Sequence, residues 1–168
     1  MNGEIRDRVL LVGFMASGKS SVGKELASRL GWDFVDFDTL IESRTGKTVA
    51  RIFSEDGEEE FRRLESEVAK ESLVRRDTVF ASGGGWPAQP ESWTMVAEDT
   101  MSIWLQVSPL EALRRASKEG LTRPLLGGAD AMDRATALLL AREAFYRRAR
   151  YTLDSERHTP PELADKIV

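Results

Sequence analysis

The chain has 168 residues with 24 Lys and Arg against 28 Asp and Glu, a formal net charge of -4, which suits one domain around one core and argues against a nucleic-acid binder. It contains no Cys and a single histidine, His158, so disulfide frameworks, thiolate chemistry, cysteine-ligated metals and histidine-cluster zinc sites are excluded. Met1 to Arg8 is charged and lacks a signal-type apolar core, and no run approaches membrane-spanning length, which predicts a cytoplasmic protein with no membrane partner.

Residues 9 to 14 read as a buried strand, a short β-branched and leucine run that ends at glycine. It feeds Gly13-Phe-Met-Ala-Ser-Gly-Lys-Ser20, which satisfies GxxxxGK[ST] in its required setting between a strand and a helix. Gly13 and Gly18 permit a backbone whose successive N–H groups wrap a phosphate. Lys19 can then reach the transferable phosphates and Ser20 can hold Mg²⁺, while the following helix aims its amide-rich end at the anion. Val22, Leu26, Ala27 and Leu30 give that helix its apolar face, and Gly31 ends it.

A second strand is expected over Asp33 to Phe37, followed by a short helix with Asp38 at its start. Asp36 and Asp38, spaced i, i+2 on an extended segment, would face one crevice, and two carboxylates there can divide metal holding from orientation of a substrate hydroxyl. Asp38 could equally cap the helix. Thr48 to Phe53 reads as another short helix, and Gly57 to Leu73 as a clear one with Phe61, Leu64, Val68 and Ala69 on one face. Glu58, Glu59 and Glu60 load its first turn with charge that suits the helix dipole without any binding role.

Thr78 to Ala81 is a third strand, ended by Gly83-Gly-Gly85, where bare backbone can meet a ligand or simply turn. Pro87 to Asp99 reads as a loop and a modest helix. Met101 to Val107 is a strand, and Ser108-Pro-Leu starts a helix by N-cap and first-position proline, carrying Leu110 and Leu113. Gly120 to Gly128 reads as a mobile loop, Asp130 to Arg148 as a long helix, Tyr151 to Asp154 as the last strand and Pro161 to Val168 as the closing helix. His158, beside Pro160 and Pro161, reads as a surface residue. Strands alternating with helices indicate a doubly wound, mainly parallel α/β sheet, with every strand's C-terminal end on the phosphate-loop edge. Arg62 sits one step off the apolar face of its helix and Arg142 interrupts the nearly uncharged segment Ala135 to Ala141, so each either pairs with an internal carboxylate such as Glu65 or awaits an anionic substrate.

Taken together, Gly13-Phe-Met15, Asp36-Phe-Asp38, Phe53 with Gly57-Glu58 and Phe61-Arg62 with Glu65, Gly83-Gly-Gly85, Arg123-Pro-Leu-Leu126, and Arg142 with Tyr146 resemble the shikimate kinase family, in family order over about residues 9 to 146. The resemblance implies a three-layer α/β/α fold of the nucleoside monophosphate kinase type, with a five-stranded parallel sheet in the order 2-3-1-4-5. Residues 1–168 would form one P-loop kinase domain, with 38–75 as its substrate-binding helical region and 118–130 as its lid. It implies a monomeric kinase that moves the γ-phosphate of ATP to the 3-hydroxyl of shikimate, in the route to chorismate and the aromatic amino acids.

By the same resemblance, Gly13, Lys19, Ser21 and the amides of Ala16, Ser17, Gly18 and Ser20 would cradle ATP, and Ser20 and Asp36 would hold Mg²⁺. Asp38, Arg62, Gly83, Gly84, Gly85 and Arg142 would hold the acceptor, with both arginines on its carboxylate. Lys19, Asp38 and Arg123 would act in catalysis, Arg123 from the lid, and Arg115 would meet the adenine. The sequence departs from the family at Ala16, usually glycine, at Ala144, usually proline, and at Trp86-Pro-Ala-Gln-Pro90; one more residue than usual separates Arg115 from Arg123. Trp86, if near the acceptor, would reshape its pocket. A gluconate-type kinase and a non-catalytic nucleotide-binding protein are the alternatives.

Overall fold

The run Arg8–Val12 (β1) is the central strand because its side chains can be buried on both faces of a sheet. Leu10 and Val12 enter one apolar cluster, while Val9 and Leu11 enter the other. In this computed structural model, which describes residues 7–120 and 128–168, β1 pairs in parallel with Thr78–Ala81 (β3) and with Met101–Gln106 (β4). Asp33–Asp36 (β2) adds outside β3 and Tyr151–Asp154 (β5) outside β4, both parallel. The order β2-β3-β1-β4-β5 is the one the family resemblance implies.

Helix Lys19–Leu30 (α1) starts at the phosphate loop and ends at Gly31, whose left-handed φ of 68° lets its N–H return to the Ala27 carbonyl. It packs against Pro160–Ile167 (α7) on one face of the sheet. Thr159 opens α7 with a reciprocal capping box, accepting from the Glu162 N–H while the Glu162 carboxylate accepts from the Thr159 N–H. The other face is covered by Phe37–Thr45 (α2), Glu58–Ser72 (α4) and Ala131–Tyr146 (α6), with Val49–Glu55 (α3) packed on α2 and α4.

Several details differ from the sequence expectations. Asp36, not Asp38, caps α2, accepting from the Thr39 N–H at 3.2 Å, so Asp38 lies within the first helical turn. Between β3 and β4 there is no α-helix; Trp86–Ala88 and Ser92–Met95 form two short 3₁₀ turns, since Pro87 and Pro90 interrupt any longer run. Pro109–Lys118 (α5) starts as expected, with Ser108 accepting from the Glu111 N–H, yet Leu110 faces solvent and Ala112 and Ala116 are the buried residues. Small side chains suit the close packing of α5 on α6.

Leu10 is fully buried at the middle of the central strand. Leu10→Ala should lower unfolding stability by about 2–5 kcal/mol through lost transfer energy and the cavity left behind, measured by urea denaturation.

Candidate active site

The parallel sheet brings the C-terminal ends of β1, β2 and β3 to one edge, and the site is built there. After Val12 the chain turns at Gly13, where φ is 147° and an added Cβ would lie 2.5 Å from the Leu105 carbonyl oxygen. That approach requires glycine. Ala16 takes a left-handed φ of 55°, a conformation that costs a residue with a Cβ about 1–2 kcal/mol. Gly18, at φ 90°, precedes the first turn of α1. The Lys19 ammonium donates to the carbonyls of Gly13 and Phe14, at 2.8 Å each, so it folds back over the loop that encloses the phosphate position.

A cavity of about 120 Å³ opens above this loop, and Lys19, Ser20, Asp36, Asp38 and Gly84 are among its walls. The sequence argument for Asp36 and Asp38 needs correction, because they are not an extended i, i+2 pair. One is the last strand residue and the other is helical, and the α2 cap carries both to the same cavity. The Ser20 hydroxyl donates to the Asp36 carboxylate. This joins a neutral and an anionic oxygen donor of the kind a hard divalent cation takes. Among the described residues no group of three His, Cys, Asp or Glu side chains could hold a metal, so an ion on Ser20 and Asp36 would complete its shell with phosphate oxygens and water, the habit of Mg²⁺.

A second pocket, of about 60 Å³, adjoins the first and shares Met15, Asp38 and Gly84 with it. Its apolar side is Val49, Phe53 and Phe61, and its polar side holds Arg62, Glu65 and Arg142. Arg62 lies over the two aromatic rings, its guanidinium carbon 5.3 Å from the centre of Phe61 and 6.0 Å from that of Phe53. Arg62 takes the internal pairing that the sequence allowed, donating to Glu65 at 2.8 Å, and it also borders the pocket. Arg142, 8% exposed, comes from α6. The next turn of that helix is tied down by Tyr146, whose hydroxyl donates to the Gly84 carbonyl at 2.6 Å. Burial pushes the Tyr146 hydroxyl up to about 12, so it stays a donor.

Glu65 has a larger part than the sequence suggested. It is completely buried, and burial pushes its carboxyl up to about 7 against the lowering pull of Arg62, with Asp38 adding to the rise. Its place was legible, because residue 65 continues the face of Phe61, Val68 and Ala69 at helical spacing. Trp86 does not line that pocket. It is 1% exposed and packs edge-on against Phe37 at 5.5 Å, next to the glycine turn.

On the other side of the loop lies a cleft of about 410 Å³. Arg115 borders it, donating to the Ser155 carbonyl at 2.6 Å and to the Ala16 carbonyl at 3.4 Å. The segment after β5 forms the facing wall and was missed from sequence; His158 lines the cleft, its Nδ1 3.0 Å from the Asp154 carbonyl oxygen. Arg123 and most of the segment 118–130 lie outside the described residues.

The shikimate kinase family profile matches residues 15–168. The chain belongs to the shikimate kinase family. It is 44% identical over 162 residues to shikimate kinase of Symbiobacterium thermophilum, covering 95% of this chain and 93% of the relative. With shikimate kinase of Mycobacterium avium it shares 40% over 162 residues, 96% of this chain and 91% of that one. Among solved structures, shikimate kinase from Acinetobacter baumannii in complex with shikimate superposes with a TM-score of 0.90 at 34% identity, over 96% of this chain and 90% of that one. A gluconokinase from Sinorhizobium meliloti shares the fold alone, with a TM-score of 0.67 at 19% identity over 97% and 90% of the two chains.

Two changes at the second pocket have defined outcomes. A Cβ on Gly85 would fall 2.4 Å from one Arg62 terminal nitrogen and 2.8 Å from its guanidinium carbon. Gly85→Ala should therefore swing that flexible side chain aside, raising KM for a carboxylated acceptor about tenfold or more with little change in KM for ATP, as steady-state kinetics would record. Glu65 holds its proton more tightly in the fold than in the unfolded chain, so its share of stability is full below the ordinary glutamate range and is lost as pH rises to about 7. Glu65→Gln should flatten that fall, measured by urea unfolding between about pH 5 and about pH 8.

Proposed function

We infer that the chain is an ATP-dependent kinase that phosphorylates shikimate at its 3-hydroxyl, supplying the aromatic amino-acid route. The observation that carries this reading is the pair of adjoining pockets that meet at Asp38 and Gly84, one bordered by the phosphate loop and the other by two arginines and an apolar wall. A small carbocyclic hydroxy acid has that complementary pattern, an apolar ring face with a carboxylate at one end.

In this reading Arg62 and Arg142 grip the acceptor carboxylate and set the ring's orientation, while the bare backbone of Gly83, Gly84 and Gly85 lets the ring approach. Asp38 accepts a hydrogen bond from the attacking hydroxyl and aims it at the terminal phosphorus. The oxygen–phosphorus bond to the acceptor forms as the bond to ADP breaks, and the hydroxyl proton departs toward the carboxylate or solvent. Lys19, with the amides of Gly13, Ala16, Ser17, Gly18, Ser20 and Ser21, holds the phosphate oxygens against that charge flow. Ser20 and Asp36 would hold Mg²⁺, which would supply charge neutralisation at the phosphates. Arg115 borders the cleft assigned to the adenine. Arg123 joins from the segment 118–130, proposed as the lid, and residues 38–75 act as the acceptor-binding region of a single 1–168 kinase domain. We also read the protein as a cytoplasmic monomer with no nucleic-acid partner; among the described residues no helix is long and apolar enough to cross a membrane.

The test is an acceptor panel with ATP and Mg²⁺. Shikimate should exceed gluconate in kcat/KM by at least about 100-fold, since an open-chain acid leaves the apolar wall of Val49, Phe53 and Phe61 unfilled and does not hold its carboxylate against Arg62 and Arg142. Negligible transfer to shikimate with turnover of another hydroxy acid would sink the assignment. Lys19→Ala should lower kcat by about 100-fold or more with unfolding still cooperative; near-normal turnover would refute its phosphate role.

A further inference from the structure

We propose that Trp86 is a positioning residue for the transfer step, its indole bracing Phe37 so that the next residue, Asp38, is held where the two pockets meet. This rests on the reading of Asp38 as the group that aims the attacking hydroxyl, and adds to it a residue outside both pockets.

Trp86 is the largest fully buried side chain among the described residues. Its backbone is fixed at the end of the glycine turn: its N–H donates to the Gly83 carbonyl at 3.2 Å, and its carbonyl accepts from the Gln89 N–H at 2.9 Å and from the Ser92 hydroxyl. The indole N–H, by contrast, is buried with no hydrogen-bond partner among the described residues. An unsatisfied buried donor lowers stability, and phenylalanine or leucine would not carry one. What this position uses is therefore the shape of the ring.

That shape reaches α2. The indole meets Phe37 edge-on, with centres 5.5 Å apart and planes at 82°, a preferred geometry for an aromatic pair. Phe37 is fully buried and opens α2 between Asp36, which caps the helix, and Asp38, which borders both pockets. Asp38 returns to the same turn, its Oδ1 3.1 Å from where a Cβ on Gly83 would stand. Glycine turn, Trp86, Phe37 and Asp38 thus close a ring of contacts, and in a densely packed interior a displaced Phe37 moves the first turn of α2 with it. Arg62 and Arg142 have supports of their own, Glu65 and two aromatic rings for the one and the Tyr146 hydrogen bond for the helix of the other. Loss of the brace therefore falls on the aim of the hydroxyl rather than on the grip on the carboxylate, and a reacting group misplaced by about 1 Å can lose about 100-fold in rate.

Single-turnover transfer from ATP with Mg²⁺ to shikimate, with steady-state KM for each substrate and thermal unfolding, tests this in the parent, Trp86→Leu, Trp86→Phe, Phe37→Leu and the double variant of the two leucine changes. Trp86→Leu should slow transfer about tenfold with both KM values within about twofold of the parent's, and Trp86→Phe, which keeps an aromatic edge, should recover most of the rate. The double variant should lose no more than the worse single change, since both break one contact. An unchanged transfer rate in Trp86→Leu overturns the assignment, whatever its Tm. So does a rise in KM for shikimate at constant rate, which would put the effect on the arginines, and so do losses that multiply in the double variant. If Trp86→Leu does not fold, Phe37→Leu decides, because it removes the braced ring and leaves Trp86 in place: transfer slowed about tenfold upholds the brace and a normal rate overturns it. Asp38→Asn separates the two readings, since near-normal transfer there would bring down the role of Asp38 itself and the brace with it.

Discussion

The absence of side chains at Gly83, Gly84 and Gly85 is the constraint on which the pocket of Arg62, Glu65 and Arg142 depends. A Cβ on Gly83 would stand 2.2 Å from a Glu65 carboxyl oxygen and 3.1 Å from an Asp38 oxygen, and one on Gly85 would stand within the Arg62 guanidinium. Three polar side chains from α2 and α4 thus occupy the space that ordinary residues after β3 would have filled. The turn also exposes the Gly84 carbonyl, and Tyr146 uses it to dock the helix that carries Arg142. One short bare stretch of backbone therefore sets the position of both arginines, although they come from two helices far apart in the chain.

Electrostatics follow from that crowding. Glu65 is buried next to Arg62 with Arg142 and Asp38 nearby, and burial outweighs the two cations in keeping its carboxyl easy to protonate. Arginine keeps its charge in such a place where lysine would give it up more readily, and its planar fork can face a ligand while its flank rests on aromatic rings. Phe53 and Phe61 provide those rings, their centres 4.8 Å apart. The phosphate side works differently, with backbone amides and one lysine in a loop whose geometry glycine permits at two positions and alanine bears at a third.

Local chemistry made much of this visible in the sequence. Gly31 as a helix stop, Ser108 as a cap and the uninterrupted apolar run of β1 act within a few residues, and the structure keeps them. The phosphate loop was legible for the same reason. Properties decided by packing were not. Asp36 takes the cap because the strand ends one residue early, Leu110 turns outward because α5 meets α6 through alanines, and Trp86 is buried next to the glycine turn against Phe37. The wall after β5 carried no motif, and only the pairing of β4 with β5 brings it beside Arg115.

The register of the sheet also governs the order in which the site can assemble. Every strand pair is parallel, so each requires a crossover, and β1 must recruit partners from about residue 78 and beyond before either of its edges is satisfied. The Ser20–Asp36 contact spans 16 residues, whereas Tyr146 closes on Gly84 across 62. The Ser20–Asp36 contact thus comes from nearby stretches of chain, whereas the docking of the helix that carries Arg142 waits for a long loop to close. A partly folded chain would bring Ser20 to Asp36 before it fixed Arg142 beside the glycine turn.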